Sequence, residues 1–312
     1  MPVNPKLQEF LDEWNKKPPV PKDISPNAFR KMVGTDAVPP MKAPFIKDIL
    51  VPVEGGEIVT RIYRPEGDGP FPVFVFYHGG GFVAGNIEGY DYPLHDICLS
   101  ANCIVCSVEY RLAPENKFPI PFEDCYAATV YLSKHISEYN GDPGRLAIGG
   151  VSAGGTLSAA VAMMARDRND GLKISFSAVM YAVLDLARLT DSQSRIDLAE
   201  GYYHCNSTGD VFDAFLIRNE EDKRHPWLSP ALLDLKLLTN LPKTMVMSME
   251  YDPLRDEGRF YAEKLKEAGN DVEFYIAEGM IHNSLIWSVW CPEAKERVND
   301  KLVAELNKVF WE

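Results

Sequence analysis

The sequence predicts an α/β fold built on a mostly parallel, doubly wound central sheet with helices on both faces. Strand-like apolar segments alternate with longer helical ones along most of the 312 residues, and such alternation leads to parallel strands joined by crossover helices. Two segments, Phe71–His78 and Cys103–Tyr110, are apolar almost throughout, as strands are when both faces of their sheet are covered. The third observation is Gly150-Val151-Ser152-Ala153-Gly154-Gly155, set between the strand-like Arg145–Gly149 and a helix-like run from Thr156. A serine on a sharp strand-to-helix turn, with glycine two residues to either side, is the nucleophile-elbow pattern. The glycines have a steric cause, because strand and helix approach so closely there that side chains would collide.

Composition narrows the classes of partner. Hydrophobic residues make up 46% of the chain and the net charge is -13. A large core is therefore available, while nucleic acid and anionic membranes, which need a positive surface, are not expected partners. The chain opens without an apolar signal core and no run approaches ~18 apolar residues, so a cytoplasmic location without a membrane span is expected. Six cysteines are present. Cys98, Cys103 and Cys106 have an iron–sulfur-like spacing, but Cys103 and Cys106 fall on one strand at positions that point to opposite faces. Six reduced thiols fit a cytosolic protein. The oligomeric state, a homodimer included, is left open.

Along the chain, Leu7, Phe10, Leu11 and Trp14 recur at helical spacing over residues 6–17, and Pro18, Pro19 and Pro21 end that helix. A second short helix is expected over Pro26–Met32, with Ser25 as N-cap and Pro26 at its first position; Pro39, Pro40 and Pro44 follow. Ile46–Val53 and Glu57–Tyr63, split by Glu54-Gly55-Gly56, read as a hairpin. After Phe71–His78 and Cys103–Tyr110 come a helix over Pro121–Tyr139, the elbow strand and helix, and strands over Ile174–Tyr181, Thr244–Glu250 and Asp271–Ala277. Helices are expected over Asp256–Ala268 and Pro292–Phe310. From Leu184 to about Pro230 the alternation stops. So long an excursion inside a compact α/β core is read as a helical insertion, able to form a lid together with residues 1–40.

Ligands of open α/β sheets bind outside the carboxyl ends of the strands, so the residues just after each strand carry the most information. Those places hold His78-Gly79-Gly80-Gly81-Phe82, then Ser152, then Tyr251-Asp252, then Glu278-Gly279-Met280-Ile281-His282. Ser, Asp and His thus arrive on one edge in a chain order known for serine-dependent chemistry on this kind of sheet. A serine hydroxyl needs a base to take its proton, which a histidine does near neutral pH. An aspartate holds the imidazole in the right tautomer. Backbone N–H groups of the glycine loop and of Ala153 can face a developing oxyanion. Asp252 is preferred to Glu250, expected inside the strand, and to Asp256 and Glu257, expected on the next helix. His78 is expected to order the glycine loop, and His95, His135, His204 and His225 to be surface or packing residues. The charges of Tyr110-Arg111-Leu112-Ala113-Pro114-Glu115 are expected to tie that loop by ion pairs.

These motifs, with Asp252-Pro253-Leu254-Arg255-Asp256-Glu257-Gly258, span most of the chain, which resembles the hormone-sensitive-lipase-like, HGGG-type branch of the α/β-hydrolases. The resemblance implies an α/β-hydrolase core in residues 46–186 and 227–312, under a cap made of N-terminal helices (1–45) and a helical insertion (187–226). It implies carboxylester hydrolysis through an acyl-enzyme, without metal or cofactor; the aromatic residues of the two cap regions point to small, short-chain esters as substrates. By motif position Ser152 is the nucleophile, Asp252 the acid and His282 the base, with Gly80, Gly81 and Ala153 as oxyanion donors and Gly79 less well placed. Three positions depart from the pattern: Val151 stands where Asp is frequent, Thr156 where Asn is, and Asn283-Ser284 where Gly-Phe is. Non-catalytic hormone-receptor-like members of the fold and peptidases or amidases with the same triad are the alternatives; the receptors lack the histidine present here as His282.

Overall fold

A computed structural model describes residues 1–21, 23–33 and 45–312. Its eight strands are β1 (Phe45–Val53), β2 (Gly56–Arg64), β3 (Phe71–Tyr77), β4 (Ile104–Val108), β5 (Gly141–Val151), β6 (Phe176–Met180), β7 (Lys243–Tyr251) and β8 (Val272–Ile281). They form one sheet in the order β1-β2-β4-β3-β5-β6-β7-β8. The β1–β2 hairpin and the β2–β4 pair are antiparallel, and every other neighbour is parallel. The helices are α1 (Pro5–Trp14), α2 (Pro26–Val33), α3 (Asp91–Ser100), α4 (Ile120–His135), α5 (Ala153–Arg168), α6 (Ser194–Asp197), α7 (Asn206–Leu216) and α8 (Arg255–Glu267). A last one, α9 (Pro292–Ala294), runs through a π-helical stretch, Lys295–Asp300, into α10 (Lys301–Trp311).

Every residue of β3 and β4 is buried, and alternate side chains feed two separate cores. Val73, Val75 and Tyr77 join Phe122 and Leu132 of α4 and Leu157 and Val161 of α5. Phe74 and Phe76 join Leu94 and Ile97 of α3 and Leu302, Leu306 and Phe310 of α10. Helices on both faces explain why the strand sequences lack polar alternation. The cysteines follow the same rule: Cys106 faces the first core and Cys103 the second, and all six thiols are unpaired. Among the described residues no helix is long and apolar enough to cross a membrane.

Several elements differ from the sequence reading: β5 begins at Gly141 rather than Arg145, α4 ends at His135 before a 3-10 turn, β6 is shorter at both ends, and α3 has no counterpart there. α1 stops at Trp14, before the prolines that were expected to end it, and Asn4 caps its start by accepting from the Lys6 N–H at 3.0 Å. β8 runs past Ala277 to Ile281, because it bulges: the four-residue step from Ala277 to Ile281 in β8 spans the two-residue step from Met249 to Tyr251 in β7, and pairing resumes at Tyr251 and Ile281, with Gly279 at φ 70 inside the bulge. Glu278-Gly279 reads as a strand stop in sequence; in the fold the strand carries on to the residue before His282. Ser25 does cap α2, accepting weakly from the Ala28 N–H at 3.4 Å. The prolines 39, 40 and 44 lie outside the described residues.

The stretch from Leu184 to Pro230 holds α6, α7 and a 3-10 turn at Glu220–Arg224, with no strand among them. Both N-terminal helices pack against it. Phe10 and Trp14 of α1 lie 5.7 and 4.7 Å from the Tyr203 ring, and Phe29 of α2 lies 4.8 Å from Phe212 of α7. Arg30 of α2 ties this layer to the core, donating to the Val83 and Ala113 carbonyls at 2.7 Å each and pairing with Glu115. Arg111 donates from its N–H, Nε and Nη2 to the buried Asp124, so the charges after β4 do bind loops together. Asp124→Ala leaves three donors without their acceptor and is expected to cost about 3 kcal/mol in urea unfolding, with Asp124→Asn costing less.

Candidate active site

The turn from β5 into α5 puts Ser152 at φ 55, ψ -122, a region that L-residues enter only when their surroundings hold them there. The surroundings are backbone. A Cβ on Gly154 would stand 1.9 Å from the Tyr77 carbonyl oxygen, and one on Gly150 would stand 2.3 Å from that of Gly154. β3, β5 and α5 are thus in contact through main chain at this point, and the Ser152 N–H is fixed by the Met180 carbonyl at 2.9 Å. Thr156 donates its hydroxyl to the Val183 carbonyl at 2.6 Å, which gives that departure from the family pattern a local role. Val151 is fully buried in the apolar core of α3 and α10.

His282 comes directly after β8. Its Nε2 lies 3.0 Å from Ser152 Oγ and its Nδ1 lies 2.7 Å from Asp252 Oδ2. Asp252, the first residue after β7, has no solvent exposure, and its other oxygen accepts from the Leu254 N–H at 3.0 Å. Burial alone would raise its pKa; attraction and hydrogen bonding from His282, helped by that N–H, outweigh burial and hold the carboxyl below its usual range. The rival carboxylates have other partners. Glu250 accepts from the Gly279 N–H at 2.6 Å, Asp256 from the Ser194 N–H at 2.8 Å, and Glu257 pairs with Arg195 at 2.9 Å. After His282, Asn283 takes φ 72, a left-handed conformation that glycine enters freely and asparagine better than most residues.

The glycine loop after β3 faces the same spot. His78 donates from Nδ1 to the Gly79 carbonyl at 2.8 Å and stacks on Tyr110 at 4.2 Å, so it orders the loop as the sequence implies. The Gly79 N–H is spent on the Tyr90 hydroxyl at 3.1 Å. The N–H groups of Gly80, Gly81 and Ala153 have no hydrogen-bond partner among the described residues. Gly80 reaches φ 122, a backbone state open to glycine. A cavity of about 360 Å³ opens over these groups. Its lining includes apolar Trp14, Val20 and Val33 from the N-terminal segment and the charged Arg188, Arg195 and Asp213 from the insertion. Among the described residues no group of three or more His, Cys, Asp or Glu is placed to hold a metal ion.

The structure brings together Ser152, Asp252, His282, Gly80, Gly81 and Ala153, all the positions singled out from the sequence. It adds His204, which the sequence reading leaves with the surface and packing histidines. Its ring stacks on His282, with centroids 4.6 Å apart and planes 26° apart. No motif marks it; the one available signal was its place in the aromatic Tyr202-Tyr203-His204 run of the insertion. His95 and His225 pack as expected, the first buried and the second between Phe118 and Trp227, and His135 pairs with Glu138.

A doubly wound sheet with a serine elbow, a glycine loop after β3 and a histidine after the last strand is the architecture of an α/β-hydrolase. The sequence profile of the α/β hydrolase fold family matches residues 74–286, and the chain belongs to that family, in its hormone-sensitive-lipase-like esterase branch. It is 37% identical over 245 residues to the carboxylic ester hydrolase LipN of Mycobacterium tuberculosis, an alignment covering 77% of this chain and 64% of LipN. It is 32% identical to an arylesterase of Saccharolobus solfataricus over 99% of this chain and 100% of the relative. Among solved structures, a hyperthermophilic esterase from the archaeon Pyrobaculum calidifontis superposes with a TM-score of 0.91 at 31% identity, covering 99% of both chains.

Burial, opposed by the hydrogen bond to Gly79, pushes the His78 imidazole down to about 4. In the unfolded chain it takes a proton near 6.5. The folded value lies below the unfolded one, so His78 costs stability as pH falls from about 6.5 to about 4, by about 3 kcal/mol in all. Urea unfolding of His78→Gln between pH 7 and pH 4 is expected to show a pH dependence shallower than that of the unmodified protein by that amount.

Proposed function

We propose that the chain is a serine carboxylesterase that hydrolyses small, short-chain acyl esters through an acyl-enzyme. The observation that carries the proposal is the continuous chain of hydrogen-bonding contacts Ser152–His282–Asp252, at 3.0 and 2.7 Å, beside three unspent backbone N–H groups. In this reading Ser152 Oγ attacks the ester carbonyl carbon and His282 Nε2 takes the hydroxyl proton. The carbonyl oxygen becomes an oxyanion and accepts from Gly80, Gly81 and Ala153. As the intermediate collapses, the C–O bond to the alcohol breaks and the alcohol leaves with the proton from His282. A water, deprotonated by the same nitrogen, then attacks the acyl-enzyme and releases the acid and Ser152. Asp252 keeps the imidazole in the tautomer that accepts at Nε2, and its negative charge stabilises the imidazolium that forms at each step.

Substrate size follows from the cavity. A volume of about 360 Å³ is near the lower end of the roughly 300–1,000 Å³ usual for ligand pockets, and apolar side chains from α2 and the preceding segment are among its lining residues. This supports short acyl chains and neutral esters. Six unpaired cysteines, five of them buried, support a reducing, cytoplasmic setting.

Hydrolysis of p-nitrophenyl esters with acyl chains from two to twelve carbons, run beside the matching anilides, tests the proposal. The expected result is highest kcat/KM on the short esters, little anilide cleavage, and a loss of ~10³-fold or more in Ser152→Ala and His282→Ala. No ester hydrolysis by the unmodified protein, or near-full activity in Ser152→Ala, overturns it.

A further inference from the structure

The insertion does more than roof the cavity, because one of its side chains lies on the base. His204 sits between Tyr203 and Cys205, far in sequence from β8, yet its ring is stacked on His282 at 4.6 Å. A second aromatic ring, Tyr181 at the end of β6, meets His282 edge-on at 5.1 Å and 74°. The imidazole of His282 therefore has a flat neighbour from the insertion and an edge-on neighbour from the core, in addition to its polar partners Ser152 and Asp252.

The backbone that delivers His204 is costly. Its N–H donates to the Tyr202 carbonyl at 2.7 Å, two residues back, across Tyr203 at φ 63. An i to i+2 hydrogen bond closed over a positive φ is the rare, strained form of the γ-turn, and an aromatic residue is poorly suited to that conformation. Packing offsets the strain: the Tyr203 ring lies 4.7 Å from Trp14, 5.7 Å from Phe10 and 5.0 Å from Trp287. These rings come from α1 and from the turn just after His282. Strain held by surrounding contacts at a site is a pointer to function.

We propose that His204 is a positioning residue: delivered by the insertion, it holds the His282 ring in the orientation that aims Nε2 at Ser152. This rests on the esterase reading for what His282 does, but not for where its ring points. The chemistry favours an uncharged partner. His282 gains a proton at each step, and a second cation on its face would oppose that. Burial, reinforced by the nearby His282, pushes the His204 imidazole down to about 3; Arg195 and Arg188 act in the same direction and Asp252 against it. His204 is thus neutral across the working range and offers a flat surface without a competing charge. Freed from that surface, the base can rotate about its side-chain bonds, and misplacement of a reacting group by ~1 Å costs about a hundredfold in rate.

The test compares His204→Ala with His204→Phe, which keeps a flat ring and discards the nitrogens. In the Ala variant kcat on a short p-nitrophenyl ester is expected to fall about 10- to 100-fold with KM within about threefold, and a crystal structure is expected to show the His282 ring turned away from Ser152 or split between two orientations. In the Phe variant kcat returns to within about threefold of the unmodified protein. A folding defect in the Ala variant leaves the Phe variant to decide, since a folded Phe variant with badly reduced kcat overturns the proposal. An Ala variant with unchanged kcat, or with reduced kcat and an undisturbed His282, also overturns it. If the unmodified protein hydrolyses no ester, the esterase reading fails alone, and the orientation of His282 in the Ala crystal still decides the role of His204.

Discussion

The contact on which the rest of the site depends is the main-chain approach of β3, β5 and α5 around Ser152. Gly154 lies against the Tyr77 carbonyl, and Gly150 against that of Gly154, with no room for a side chain at either. This forces the chain through a tight reversal and stands Ser152 in a backbone state that it would not adopt alone. The cost is met by the core on both faces of the sheet, where all of β3 and the second half of β5, Leu146–Val151, are buried. Because β3 is one party to the contact, the loop that leaves it cannot move independently of the elbow. The Gly80 and Gly81 N–H groups are therefore held in register with Ala153 by the same packing that holds the serine.

Much of this was legible in the sequence because it rests on local rules. Continuous apolar runs marked strands covered on both faces, and the glycine spacing marked a close approach. Position after a strand then placed Gly80, Gly81, Ser152, Asp252 and His282 on one edge. The choice of Asp252 over Glu250 followed from its place in the turn after the strand, since Glu250 falls inside β7. What could not be read depends on long-range contact. The end of β8 hid behind Glu278-Gly279, because these residues form a bulge within the strand, and only the pairing of Ile281 with Tyr251 of β7 beyond it shows that the strand resumes. His204 carries no motif, and its stacking on His282 exists only once the insertion has folded over the sheet. The motif already set Gly79 apart from Gly80 and Gly81; the reason, a hydroxyl from Tyr90 eleven residues on that takes its N–H, is a contact between loop segments.

Thr156 and Asn283 show how departures from a family pattern are absorbed. The Thr156 hydroxyl finds the Val183 carbonyl at 2.6 Å, so a polar side chain that differs from the usual one still ties α5 to the segment after β6. Asn283 stands at φ 72, where the glycine it replaces would be unstrained and asparagine is tolerated. Val151 is different in kind, since it exchanges a polar neighbour of the serine for one more apolar group in a fully buried position. None of the three touches the hydrogen-bond chain from Ser152 to Asp252.

The turn after β7 explains how the insertion and the site are built as one unit. Four carboxylates lie within eight residues there, and each has its own partner. Glu250 binds the Gly279 N–H in β8, and Asp252 binds His282. Asp256 binds the N–H of Ser194, whose hydroxyl donates in turn to the Pro253 carbonyl. Glu257, fully buried, takes Arg195 and the Leu184 N–H; burial pushes its carboxyl up to about 7 against the pull of that guanidinium. The first two fasten the strand that presents the histidine, and the last two fasten the start of the insertion. Movement of α6 away from the core would therefore break hydrogen bonds to the turn that carries Asp252, and would draw on the same segment that leads to His204. The insertion is thus tied to the surroundings of His282 at two points, through the turn that carries Asp252 and through His204, whose ring stacks on the imidazole.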